Sequence, residues 1–131
     1  MNLQPVYKKK IGVVHVEKES HLWSVRVEPE DNQMGLVNTL RSLESLSDQL
    51  NAELSDDLEL ELDLQNLYDI NSALIAQFVM LHQILVRVNG RLKIINANPE
   101  LKSSFDVVML DKIISIAYDG LDESDFDLDE E

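Results

Sequence analysis

The stretch Leu58-Glu59-Leu60-Glu61-Leu62-Asp63-Leu64 alternates apolar and acidic residues without a break. Successive side chains of a β-strand point to opposite faces, so its leucines would line a core while its acids face away. This predicts a strand in a sheet covered on one side. Just downstream, Asp69-Ile70-Asn71-Ser72-Ala73-Leu74 forms a polar break. Residues 73–88 then place Leu74, Ile75, Phe78, Leu81, Leu85 and Val88 on one stripe and are apolar around much of the helical circumference, as a largely buried helix requires. Asn and Ser are both good N-caps, so either Asn71 or Ser72 suits the helix start. Free backbone N–H groups and the positive end of the helix dipole also meet there. A phosphate added to Ser72 would find electrostatic partners at that point, which makes the break a candidate switch.

The period of the hydrophobic pattern changes on both sides of this unit. Upstream, residues 11–17 and 22–28 are short and rich in valine, and Lys18-Glu19-Ser20-His21 separates them as a hairpin connection would. Lys8-Lys9-Lys10 precedes them as a solvated lead-in. Pro29-Glu30-Asp31-Asn32 breaks the run, after which Leu36, Leu40, Leu43, Leu46, Leu50 and Leu54 recur at helical steps, predicting an amphipathic helix that ends near Asn51. Downstream, Asn89-Gly90 stops the buried helix, with the glycine expected to take the left-handed conformation. Residues 91–96 read as a strand. Asn98-Pro99-Glu100 combines an N-cap, a first-turn proline and a first-turn acid, predicting a helix to about residue 108. Residues 113–117 read as a last short strand or apolar turn. Alternating strands and helices imply right-handed crossovers and a mixed sheet, hence one compact α/β domain.

Composition narrows the function classes. The chain has 131 residues, 44% of them apolar, which suits one domain with one core. It has no cysteine, so disulfides and thiol catalysis are excluded and a reducing compartment is natural. No apolar run reaches the length of a membrane span and the first ten residues lack a signal-peptide core, so a cytoplasmic protein without direct membrane insertion is expected. Net charge is −14, and residues 119–131 hold eight acids with no Lys or Arg, leaving −6 on the remainder. An acidic body repels phosphate, so nucleic-acid binding is not expected, and residues 119–131 read as a disordered, solubilising acidic tail.

Catalytic constellations are missing. There is no glycine-rich phosphate loop, and His15, His21 and His82 are too far apart to form a metal-ligand pair. Asp56, Asp57, Glu59, Glu61, Asp63 and Asp69 invite comparison with a divalent-cation site, but alternation assigns Glu59, Glu61 and Asp63 to a solvated strand face. No histidine pairs with Ser72 by spacing, so a nucleophilic triad is not indicated. The chain is read as non-enzymatic, with no cofactor and no metal.

The segment 58–118 resembles the STAS domain, the sulfate transporter and anti-sigma-factor antagonist family. Leu60-Glu61-Leu62-Asp63-Leu64 stands in place of its "vvlDls" strand, and Asn71-Ser72-Ala73-Leu74 falls on its Asp-Ser-Ser/Thr-Gly motif. Asn89-Gly90-Arg91-Leu92 looks like the "rGgrL" turn, and Lys93-Ile94-Ile95-Asn96 follows in the place of "vlvn". Pro99-Glu100-Leu101 and Met109-Leu110-Asp111-Lys112-Ile113-Ile114 are similar to the "pev" and "gLdrlf" signatures. Asn71, Ala73 and Leu74 depart from the motif, while its serine is kept as Ser72.

The resemblance implies a single STAS-like domain over residues 1–118, with a mixed β-sheet of four to five strands and helices packed mainly on one face. It implies an anti-sigma-factor antagonist, a partner-switching regulator that works as a monomer or weak dimer. In such proteins a serine-kinase anti-sigma factor phosphorylates the motif serine, here Ser72, and a PP2C-type phosphatase removes the phosphate. Asp69, Asn71, Ser72, Ala73 and Leu74 would form the partner-binding surface. The alternative within the same fold is an accessory subunit of a membrane transport complex, such as the cytoplasmic partner of a lipid-trafficking ATPase.

Overall fold

The computed structural model describes residues 7–120. Its strands are β1 (Tyr7–Ile11), β2 (Val14–Glu19), β3 (Leu22–Val27), β4 (Glu59–Asp63), β5 (Arg91–Ala97) and β6 (Ser115–Tyr118), arranged as one sheet in that spatial order. β1, β2 and β3 pair antiparallel, whereas β3–β4, β4–β5 and β5–β6 are parallel. The helices α1 (Gly35–Ala52), α2 (Ser72–Val86) and α3 (Lys102–Val107) lie in the three connections between parallel strands. The result is the expected single α/β domain with a mixed sheet. It has six strands, not four to five.

The extra strand is the lysine run itself. Lys8, Lys9 and Lys10 are exposed members of β1, an edge strand that meets the core through Ile11 at its end, so the period-two signal that marks β4 is missing there. The strand expected over residues 11–17 is accordingly divided, with Ile11 closing β1 and Gly12 turning at φ +59° before β2 begins at Val14. Ser42 on α1 holds this turn: its Oγ accepts the Val13 N–H at 3.0 Å and donates to the Asn38 carbonyl at 2.7 Å.

Cross-strand register explains the core. Val16, Val25, Leu62 and Ile94 fall in one row across β2, β3, β4 and β5, and Trp23, Leu60 and Leu92 fall in the next. All seven are buried. Leu43, Leu46 and Leu50 of α1, with Phe78, Leu81 and Leu85 of α2, complete the core. Each such side chain contributes about 1.5–3 kcal/mol through burial. The opposite face of the sheet carries Glu59, Glu61 and Asp63 of β4 beside Arg91, Lys93 and Ile95 of β5. The helices therefore pack on one face, as expected from the alternation at residues 58–64.

The end of α2 corrects one expectation. Asn89, not Gly90, takes the left-handed conformation, at φ +59°. The Gly90 N–H bonds to the Leu85 carbonyl at 2.9 Å and the Asn89 N–H to the Val86 carbonyl at 3.1 Å, which is the Schellman arrangement. Gly90 is required for a different reason. A Cβ there would lie 2.0 Å from the Leu58 carbonyl oxygen, where β5 closes against the chain entering β4.

Residues 98–108 also form a less regular helix than the sequence suggests. Asn98 accepts the Glu100 N–H at 3.0 Å, a tight 3₁₀ turn covers Pro99–Leu101, and α3 follows. Apart from Asp119 and Gly120, the expected disordered acidic tail lies outside the described residues. Asp119 continues the sheet edge by donating its N–H to the Ala97 carbonyl at 2.8 Å.

Candidate functional site

Parallel strands β3, β4, β5 and β6 all finish at one end of the sheet, so the loops that follow them gather there. That is where open α/β sheets commonly bind partners or ligands. The loop after β4 is anchored at both ends. Asp63 Oδ1 accepts the Gln65 N–H at 2.9 Å, and Asp63 Oδ2 accepts from Asn96 Nδ2 at 3.2 Å, tying the ends of β4 and β5 together. Leu64 and Leu67 are buried, which leaves Tyr68 and Asp69 on the outside before the chain reaches α2.

At the helix start, Asn71 Oδ1 accepts the Leu74 N–H at 2.9 Å, and the Asn71 carbonyl accepts the Ile75 N–H at 3.1 Å. Asn71 is thus the N-cap, and Ser72 is the first helical residue. Of the two caps that the sequence allows, the structure uses the one that leaves the Ser72 side chain exposed and uncommitted to the cap. Replacing Asn71 with Ala is expected to cost about 1 kcal/mol of stability, read from urea unfolding, without displacing the Ser72 hydroxyl from the surface.

Of the expected partner-binding residues, Asn71, Ser72 and Ala73 share the exposed tip of α2. Leu74 is corrected: its side chain is fully buried in the core and offers a partner nothing to touch. Asp69, two residues before the tip, lines a crevice of ≈450 Å³ between the loops after β3 and β4, with Leu36, Leu67, Tyr68 and Asp31 also in its lining. Sequence reasoning passed over Tyr68 and Met80, which are 61% and 45% exposed. Met80 was findable. It lies eight residues beyond Ser72, two four-residue steps along one helix face through Ala76.

The electrostatics of α2 are distinctive for so acidic a chain. From Ser72 to Val86 it contains no Asp, Glu, Lys or Arg. Its outward residues, including Ala73, Ala76 and Met80, form a neutral strip headed by a hydroxyl. Phosphorylation would place about −1.5 to −2 charges at the start of that strip.

The other candidates do not converge. His15 lies on β2 with Nε2 2.9 Å from Glu28 Oε1, His21 in the β2–β3 turn and His82 on α2. The Glu28 carboxyl is held below the usual carboxylate range, chiefly by the hydrogen bond from Arg26 Nε at 2.7 Å, with His15 assisting. Among the described residues no group of three or more His, Asp or Glu is arranged to hold a metal ion. Nor, among those residues, is any helix long and apolar enough to cross a membrane.

A family model described as "Mlab, STAS domain" matches residues 37–116, more than half of the chain. No curated protein matches. Among solved structures, the fold is similar to that of a candidate anti-sigma factor antagonist from Thermotoga maritima. The TM-score is 0.59 at 14% identity, over 88% of this chain and 91% of that one. It is also similar to an anti-sigma-factor antagonist (STAS) domain protein from Planctomyces limnophilus, with a TM-score of 0.63 at 11% identity over 88% of this chain and 97% of that one.

Proposed function

The chain belongs to the STAS domain family, and from that premise we propose that it is an anti-sigma-factor antagonist: a non-enzymatic partner-switching regulator controlled at Ser72. One observation carries the reading. Asn71 caps α2, so Ser72 is free at the exposed first position of a helix whose outward face is neutral.

In this reading the unmodified tip, Asn71, Ser72 and Ala73, closes against a serine-kinase anti-sigma factor, with the neutral strip of α2 continuing the contact. Phosphorylation of Ser72 adds charge where a close interface must exclude water, and the complex separates through desolvation cost and repulsion. A PP2C-type phosphatase resets the surface. The domain itself has no reason to unfold, because a negative group in the first turn of a helix complements its dipole. The switch therefore acts on association and leaves the fold alone.

The test compares three proteins in binding to the anti-sigma kinase. Ser72→Ala should bind like the unmodified chain, while Ser72→Asp should bind at least about tenfold more weakly with an unchanged or slightly raised unfolding midpoint. Equal affinities for Ala and Asp variants would sink the proposal. The neutral face of α2 also suits permanent docking, as in an accessory subunit of a membrane transport ATPase. Co-purification with such an ATPase, indifferent to the Ser72 substitutions, would select that reading.

A further inference from the structure

The two edges of the sheet are unlike. β1 carries Lys8, Lys9 and Lys10, all exposed, and charged side chains of this kind keep a free edge from pairing with another chain. The opposite edge, β6, reads Ser115-Ile116-Ala117-Tyr118, with neither charge nor proline. Its surroundings share that neutrality. From Lys102 to Tyr118 two lysines and two aspartates cancel, within a chain whose net charge is −14, and Lys102 is bonded to Asp106 at 2.9 Å. Val108, Met109 and Ile113, which are 51%, 63% and 49% exposed, lie on the segment that runs into β6.

The backbone of β6 has a defined outward set. Asp119 gives its N–H to the Ala97 carbonyl on β5. N–H and C=O groups alternate in direction along a strand, so Ser115 and Ala117 also face β5, while Ile116 and Tyr118 turn both groups to the free edge. The irregularity in this ladder falls on β5, where the step from Ile94 to Ala97 matches the shorter step from Ile116 to Tyr118, and the alternation within β6 is unbroken. The outward set stops at Ile114, whose N–H is already bonded to the Leu110 carbonyl at 3.0 Å. Side chains alternate as well: Ile116 and Tyr118 pack against the core, and Ser115 and Ala117 are exposed on the open face.

We propose that β6 is a dimerisation edge, at which a second copy of this chain pairs antiparallel about a two-fold axis at Ala117. In that register Ile116 lies opposite Tyr118 of the second copy and Tyr118 opposite its Ile116, so the free N–H and C=O groups of both residues find reciprocal partners. A β-branched residue against an aromatic one is a favourable cross-strand pair. Ser115 falls opposite Asp119, a hydroxyl facing a carboxylate, and no like charges oppose one another. The contact is self-complementary and closes on itself: it joins two six-stranded sheets and leaves a lysine-bearing β1 at each outer end, with no open filament. Only two residues of each strand bond across the axis, so the dimer is reversible. This inference does not depend on the role of Ser72.

Substitutions at the axis test it in the full chain. The sequence has no cysteine, so Ala117→Cys introduces a single thiol. Directly opposed residues of a non-hydrogen-bonded pair have Cα atoms about 4.5 Å apart, within disulfide reach. With oxidised glutathione this variant should link into a dimer at least about tenfold faster than Ser55→Cys, a thiol at another exposed position. Ala117→Lys sets lysine against lysine and should weaken dimerisation at least about fivefold in sedimentation equilibrium. Its circular dichroism spectrum should not change, because the position is exposed on the open face. Mixing it with Ala117→Asp should restore the dimer. Any of three results would overturn the proposal: an unmodified chain that stays monomeric at about 1 mM, a dimer indifferent to Ala117→Lys, or an Ala117→Cys variant that links no faster than Ser55→Cys.

Discussion

Phe78→Ala should remove about 4 kcal/mol of stability and lower the unfolding midpoint by roughly 12–20 °C. Phe78 is fully buried on α2, and its ring meets Phe105 of α3 edge to face, with centroids 6.3 Å apart and planes at 67°. The loss has three parts: apolar area returned to water, a cavity whose walls relax only partly, and an aromatic pair worth about 1 kcal/mol beyond its area. Phe78→Leu keeps most of the volume and should cost less than half as much. Urea unfolding followed by circular dichroism separates the two variants. A loss below about 1 kcal/mol for Phe78→Ala would mean that α3 does not depend on this contact.

Gly90→Ala is expected to cost about 3 kcal/mol, large for a single methyl group at a surface turn. The new Cβ would sit 2.0 Å from the Leu58 carbonyl oxygen, and that oxygen also accepts the Arg91 N–H at 3.2 Å. The Leu58 oxygen is a backbone atom and the Cβ is fixed by backbone geometry, so neither can rotate away. Relief requires β4 and β5 to separate at their start or the Schellman turn after α2 to open. The control is Asn89→Ala, which meets only the ordinary penalty of a side chain in the left-handed region, about 1 kcal/mol. If Gly90→Ala loses no more than Asn89→Ala, the close approach to Leu58 is not what requires a glycine at position 90.

How much of this could be read from the sequence depended on whether a residue's burial left a periodic trace. The leucines of 58–64 and the stripe of α2 are buried on one side only, so alternation and helical spacing predicted β4, α2 and the face they share. β1 is exposed on both faces apart from Ile11 and leaves no trace beyond a lysine run, so local pattern counts one strand too few. At the site, the sequence showed that a helix begins at residue 71 or 72, because Asn and Ser are chemically equivalent as caps. The choice between them is a matter of one hydrogen bond, Asn71 to the Leu74 N–H. The motif position of Leu74 suggests surface, whereas its place on the Leu74–Phe78–Leu81–Leu85 stripe assigns it to the core, where it lies. Gly90 was selected correctly for the wrong physical cause, since a close approach between distant segments is invisible in a local pattern.

Every strand of this sheet pairs with the strand that precedes it in the chain. A nascent chain emerging from the ribosome can therefore grow the sheet by accretion: the β1–β2–β3 meander closes through short loops, and each later strand adds to the edge already exposed. No paired strands have to reopen to admit a latecomer. Such an order keeps closure distances short and favours rapid assembly. It also makes β6 the last of the described strands to be added, so a chain interrupted before residue 115 would present β5 as a bare edge.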